Sequence, residues 1–159
     1  MKKIVNPYAK AGRAEYQCFG CSPQNAKGLQ MKFQLDGEEV VSVWNPQKWA
    51  EGYMNVLHGG IQATLLDEIS SWVVQTMAGT VGVTTSMEIS YRKAVNIDNG
   101  EITLRASMKE KNSRFAVIDA RLYNSIGEVC SSALVKYFLI PEQKAKAEFH
   151  YPGAEAFFD

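Results

Sequence analysis

Two neighbouring carboxylates stand alone in the middle of this chain. From Gly52 to Met87, a run of 36 residues, Asp67 and Glu68 are the only Asp, Glu, Lys or Arg. A carboxylate in apolar surroundings costs desolvation energy unless it is hydrogen-bonded. Held that way, it suits work as a general base or a nucleophile. The alternative for Asp67 is structural: a loop cap or a buried hydrogen bond. Leu57-His58-Gly59-Gly60, just upstream, offers complementary chemistry. Glycine lets a ligand approach the backbone closely, and the N–H groups that open a helix have no internal partner. Such a terminus carries partial positive charge and can hold a developing oxyanion. His58 reads either as part of that site or as a satisfied structural histidine.

These residues need a helix to carry them, and the pattern predicts one. Ile61, Leu65, Ile69 and Val73 recur every four residues, with Leu66 and Trp72 widening the stripe. Gly59-Gly60 open it and Gly79 follows its end. In helical projection Glu68 falls near the edge of the stripe beside Gln75, while Asp67 shares a small, polar strip with Ala63, Thr64, Ser71 and Val74. Gly59 and Asp67 then stand about 12 Å apart, at about 1.5 Å of rise per residue. One carbonyl cannot touch both within one chain. If they serve one site, they come from two subunits whose helices pack antiparallel across a twofold axis.

Strand patterns flank the helix. Leu29, Met31, Phe33 and Leu35 alternate with Gln30, Lys32 and Gln34, and Asp36-Gly37 turns into a second strand over 39–44. Alternation returns through Met87, Ile89 and Tyr91, then through Ile102, Leu104, Ala106 and Met108. Residues 114–124 and 128–140 read as two further strands joined at Ser125-Ile126-Gly127. Short links favour an antiparallel meander. The expected class is α+β, one long helix on an antiparallel sheet of about five to six strands. Three segments follow: a loop-rich or helical 1–28, a main domain over 29–140, and a tail over 141–159. The tail is charged from Glu142 to Glu148 and ends in Phe149, Tyr151, Phe157 and Phe158, which either dock on the body or touch a partner subunit.

Composition narrows the classes. The 159 residues balance 17 basic against 17 acidic side chains, which argues against a nucleic-acid partner. No apolar stretch approaches the roughly 18 residues of a membrane span, and no secretory leader is visible, so a cytoplasmic protein without membrane contact is expected. Three cysteines do not make a disulfide framework. Cys18-x-x-Cys21 lacks a second ligand pair at a usual zinc spacing, because Cys130, His58 and His150 are scattered. It also lacks the strand–helix setting of a redox dithiol. The expectation is loop packing, with no metal and no prosthetic group.

The run His58-Gly59-Gly60-Ile61-Gln62-Ala63-Thr64-Leu65-Leu66-Asp67-Glu68 resembles the central-helix motif of hotdog-fold acyl-CoA thioesterases. It is closest to the phenylacetate-degradation type, with the 4-hydroxybenzoyl-CoA type further off. The resemblance extends upstream through Cys18-Phe19-Gly20-Cys21-Ser22-Pro23-Gln24-Asn25 and Gly28-Leu29, and downstream through Thr84 to Tyr91. It implies a helix wrapped by an antiparallel sheet, in a homodimer or a dimer of dimers.

The resemblance also implies roles. Asp67 matches the carboxylate that acts as base or nucleophile, and Gly59 the residue whose N–H, supplied by the opposite subunit, polarises the thioester carbonyl. His58 matches a histidine that shapes the loop and contacts substrate, with Gly60 beside it. Thr84, or Thr85 if the register slips by one, matches a hydroxyl that orients water, and Ser71, one turn beyond Asp67, either acts similarly or supports it. Gly52 stands where some relatives carry a water-holding Asn, and Asn55 is the nearby substitute. Met87 and Ile89 line the acyl pocket, and Arg92-Lys93, with Lys109, Lys111 and Arg114, meet the CoA phosphates. The expected reaction is hydrolysis of an acyl-CoA, a substrate and not a cofactor. Two rivals are a hotdog hydratase or dehydratase and a non-catalytic acyl-CoA sensor. The His58-to-Asp67 spacing is the thioesterase arrangement and counts against the first.

Overall fold

The apolar stripe of the long helix needs a sheet to cover it. The computed structural model, which describes residues 1–10 and 12–158, supplies that sheet. The strands are β1 (Lys2–Ile4), β2 (Phe33–Asp36), β3 (Glu39–Trp44), β4 (Gly82–Tyr91), β5 (Ile102–Lys111), β6 (Phe115–Tyr123) and β7 (Val129–Leu139). They form one antiparallel sheet in the order β1-β2-β3-β5-β6-β7-β4. The helices are a single turn α1 (Pro7–Lys10), the long α2 (Gly59–Val73) and α3 (Glu142–Glu148). After α2 the chain winds on as a π-helical turn over Val74–Ala78 and stops at Gly79, whose φ of 69° is left-handed. Among the described residues no helix is long and apolar enough to cross a membrane.

The sheet has seven strands where five to six were expected. The addition is β1, which pairs Ile4 with Phe33 and is too short for any alternation to announce it. The alternating run from Leu29 enters the ladder only at Phe33. Gln30 takes a left-handed φ of 51°, and the N–H groups of Leu29 and Met31 donate to the carbonyls of Phe19 and Gly20, at 2.7 and 2.9 Å. Residues 29–32 therefore clamp the N-terminal loop instead of extending β2.

Leu65, Leu66, Ile69, Trp72 and Val73 of α2 pack on the inward side chains of β3, β5, β6 and β7, among them Val40, Leu104, Ile118 and Val135. Each large aliphatic side chain so buried contributes about 1.5–3 kcal/mol. Both chain ends join this core. Trp72 stacks on Phe33 with ring centroids 4.4 Å apart and meets Phe157 edge-on at 5.4 Å. Tyr151 and Phe157 are buried, so these tail aromatics dock on the body, while Phe149 stays exposed. At one end of the sheet β4 pairs only with β7, and residues 83–86 along it are exposed.

Candidate active site

Asp67 sits midway along α2 and faces the seam between β4 and β7. Its Oδ1 accepts a hydrogen bond from Thr84 Oγ1 at 3.0 Å. Tyr137 Oη lies 2.7 Å from the same oxygen and 2.7 Å from the Asp67 backbone carbonyl. Among the described residues nothing donates to Asp67 Oδ2. One carboxylate oxygen is thus held by two hydroxyls and the other is left without a donor. Tyr137 is almost fully buried, 1% exposed. Burial, the charge of Asp67 and its hydrogen bond push the Tyr137 hydroxyl well above the ordinary tyrosine range, so it remains a donor.

A β-bulge decides which threonine reaches the carboxylate. Thr84 is the register partner of Tyr137 and Ser86 that of Lys136, which leaves Thr85 as the extra residue. Side chains alternate along a strand, so one inserted residue reverses which face the next ones take. Met87 and Ile89 pack towards the core, and the bulge turns Thr84 to that side as well. Thr85 instead donates to the Lys136 carbonyl at 3.1 Å.

At the start of α2, His58 is the N-cap, and its Nδ1 accepts the Gly60 N–H at 2.8 Å. Gly60 N–H is thereby used, while among the described residues the N–H groups of Gly59 and Ile61 in the first turn have no acceptor. Gly59 is also fixed from its carbonyl side, which accepts Tyr91 Oη at 2.7 Å. Beside it opens a cleft of about 470 Å³ lined by Glu51, Gly52, Tyr53, Val56, Leu57, His58 and Gly59. Tyr53, which lines it, and the next residue, Met54, are 88% and 86% exposed, an unusual display for such side chains.

The remaining candidates scatter. Asn55 has a left-handed φ of 61° and uses its Oδ1 to accept the Asp98 N–H at 3.0 Å, so it organises its own loop. Ser71 Oγ accepts from Gln75 Nε2 at 3.3 Å, and Gln75 in turn accepts from Tyr8 Oη at 2.7 Å. Lys93 pairs with Glu128 at 2.9 Å. Arg92 lies elsewhere, with Lys109 and Arg121 around a cleft of about 370 Å³ on the outer face of the sheet. Tyr137 and Tyr91 were not singled out from the sequence. Each is a single aromatic in an alternating strand, and nothing local marks it as a partner of residues 70 and 32 positions away.

Comparison with known proteins agrees with this architecture. Residues 54–131 match the family model of the thioesterase superfamily. A protein of Saccharolobus solfataricus to which an esterase activity is attributed is 24% identical over 94 residues, 58% of this chain. The match spans 61% of that relative's length. Among solved structures, a thioesterase from Haemophilus influenzae superposes with a TM-score of 0.68 at 17% identity, covering 77% of this chain and 86% of the other. A hypothetical thioesterase from Streptococcus pneumoniae, solved with coenzyme A, gives 0.64 at 26% identity over 69% of this chain and 85% of its own. A Streptococcus mutans protein bound to acetyl CoA gives 0.63 at 20% identity, over 69% and 88%.

Proposed function

Starting from a chain that belongs to the thioesterase superfamily and has its hotdog fold, we propose that it hydrolyses an acyl-CoA thioester to a carboxylic acid and free CoA. The observation that carries this reading is the state of Asp67: Oδ1 held by Thr84 and Tyr137, Oδ2 free. A fixed carboxylate with one free oxygen is equipped to take a proton from water or to add to a carbonyl itself. The Gly59 N–H, at the positive end of α2, supplies the donor for the oxygen that becomes negative as the carbonyl is attacked. The coenzyme A and acetyl CoA in the two streptococcal neighbours favour a CoA ester as the substrate. Of the two subtypes the sequence resembles, the phenylacetate-degradation type is the one we favour.

Because Gly59 and Asp67 are about 12 Å apart along one helix, each site takes Asp67 from one subunit and Gly59 from the other. The face that makes this dimer carries the small strip Ala63, Thr64, Asp67 and Ser71 of α2 beside the edge strand β4, whose outer backbone groups seek a partner. The acyl group lies between subunits near Met87 and Ile89, and Arg92 faces the phosphates.

The test is turnover of a panel of aryl- and fatty-acyl-CoAs, followed by loss of thioester absorbance, with wild type and Asp67→Asn side by side. Asp67→Asn keeps shape and hydrogen bonds but removes the base, so hydrolysis is expected to fall steeply. Binding of CoA esters without turnover by wild type would establish a sensor instead. Hydrolysis unaffected by Asp67→Asn would refute the site.

A further inference from the structure

Glu68, the second carboxylate of the uncharged stretch, has no part in the site above and points to a different face of α2, about 100° round the helix from Asp67. Its Oε1 accepts Trp72 Nε1 at 3.0 Å and lies 3.5 Å from Cys18 Sγ. Cys18 Sγ is 3.1 Å from Cys21 Sγ, and the ligand atoms of Cys18, Cys21 and Glu68 all fall within 4.8 Å of one another. Cys21 is buried, 5% exposed.

The loop around these groups is built to bring them together. The Cys21 thiol donates to Cys18 Sγ, and N–H groups of Cys21 and Gly20 point at the same sulfur. Ser22 N–H closes the turn on the Cys18 carbonyl at 3.0 Å. A Cβ at position 20 would lie 2.5 Å from Glu68 Cγ, Cδ and Oε2, so any other residue there would push the carboxylate from this position. A Cβ at position 28 would lie 2.4 Å from the Phe19 carbonyl oxygen, so Gly28 lets the loop close on itself. Tyr16 Oη, 3.0 Å from Cys21 Sγ, is a further oxygen on the cluster.

We infer that Cys18, Cys21 and Glu68 form a site for a divalent, thiol-seeking metal ion, zinc by ligand chemistry, that ties the N-terminal loop to α2. Two sulfurs and a carboxylate oxygen are a donor set that zinc accepts, with a fourth position for the Tyr16 oxygen or a water. On binding, Zn²⁺ replaces the two thiol protons, which pass to solvent. Three acidic ligands otherwise crowd a partly buried space, and a dication offsets their charge. The sulfurs open from 3.1 Å to about 3.8 Å, the span of two ligands at about 2.3 Å in a tetrahedron. This replaces the expectation that the cysteine pair only packs the loop. The missing ligand is not a cysteine or histidine but a glutamate 47 residues beyond Cys21, on the central helix.

The experiment reads metal and not thioester hydrolysis, so it stands or fails apart from the proposed activity. Full-length protein, kept reduced with a phosphine, is equilibrated with zinc sulfate, desalted and analysed by plasma emission. About one zinc per chain is expected, with X-ray absorption showing two sulfurs near 2.3 Å and oxygen near 2.0–2.2 Å. Cobalt in its place is expected to give thiolate charge-transfer absorption. Cys18→Ser is expected to abolish retention, and Glu68→Gln to weaken zinc at least about tenfold while both sulfurs remain bound. Wild type that retains no zinc, or zinc with no sulfur around it, overturns the site. So does unchanged affinity in Glu68→Gln. The wild-type absorption measurement decides even if a variant fails to fold.

Discussion

Thr84 and Tyr137 are register partners across the β4–β7 ladder, and both aim a hydroxyl at the same oxygen of Asp67. The carboxylate is therefore oriented by the sheet and not by its own helix. Each donor enters from a neighbouring strand, and among the described residues the pair leaves Oδ2 without a donor. On the proposed reading Tyr137 is a positioning residue, because its buried hydroxyl holds Asp67. Tyr137→Phe is expected to lower kcat by about tenfold to a hundredfold with KM little changed. It also leaves the Asp67 backbone carbonyl without this partner, which costs about 1 kcal/mol of stability. Steady-state kinetics and a thermal melt check both. A rise in KM with kcat intact would assign Tyr137 to substrate binding instead.

Gly82 predicts a second route to the same defect. A Cβ there would lie 2.9 Å from Tyr137 Cβ and 3.2 Å from its Cδ1, across the ladder at the end of β4. Neither atom is the loose end of a flexible chain, so the tyrosine must shift. Gly82→Ala is expected to lose kcat as Tyr137→Phe does, together with about 1–3 kcal/mol of stability from overpacking. The double variant tests the route. If Gly82 acts through Tyr137, adding Gly82→Ala to Tyr137→Phe lowers kcat little further, whereas independent effects multiply.

Much of this was legible before the fold was known, and the exceptions share a cause. The stripe from Ile61 to Val73 marked α2 because a single helix face repeats locally, and the Gly59–Gly60 and Gly79 boundaries follow from backbone chemistry. Tyr137 could not be found this way, because its partner is 70 residues distant and its own strand shows only ordinary alternation. The choice between Thr84 and Thr85 turned on a bulge that leaves no mark in the residue types. Residues 29–32 alternate as a strand does, yet the left-handed Gln30 diverts them onto the loop. Glu68 was visible as an isolated charge, but its approach to Cys18 depends on how the N-terminal loop crosses α2. Periodicity reports which face is buried and is silent about what arrives there.

Alkaline pH is expected to destabilise the fold from a defined point. Burial raises the hydroxyls of Tyr8, Tyr16 and Tyr137 well above the ordinary value, and burial with the nearby Glu142 charge raises Tyr151 to about 12. Below the ordinary value of 10.0 these groups are protonated in folded and unfolded chains alike, and their contribution is complete. Above it the unfolded chain ionises first, so stability falls as pH rises towards the folded values. Tm is expected to be flat with respect to these groups below about pH 10 and to drop beyond it. A Tm equally flat well above pH 10 would contradict the burial of these hydroxyls.

The proposed two-subunit site makes the sharpest prediction, because proline can remove the Gly59 donor while preserving the helix. Gly59 is the first residue of α2, where a proline ring suits the backbone and the N–H bonds to nothing in the helix. His58 before it has φ −56° and ψ 133°, the extended conformation that a following proline requires. Gly59→Pro is therefore expected to fold and to lose about a hundredfold to a thousandfold in kcat, the usual effect of deleting an oxyanion donor. Asp67→Asn is expected to be inactive for an independent reason. In a mixed dimer of the two variants, one site receives Asp67 from the Gly59→Pro subunit and an intact Gly59 from the Asp67→Asn subunit. The other site receives both defects. Random co-assembly makes half the dimers mixed, each with one working site, so about a quarter of wild-type activity is expected to return. Co-expression with two purification tags isolates the mixed dimer, which is expected to reach about half. If each chain completed its own site, mixing would restore nothing, and Asp67 and Gly59 would have to be assigned to separate tasks.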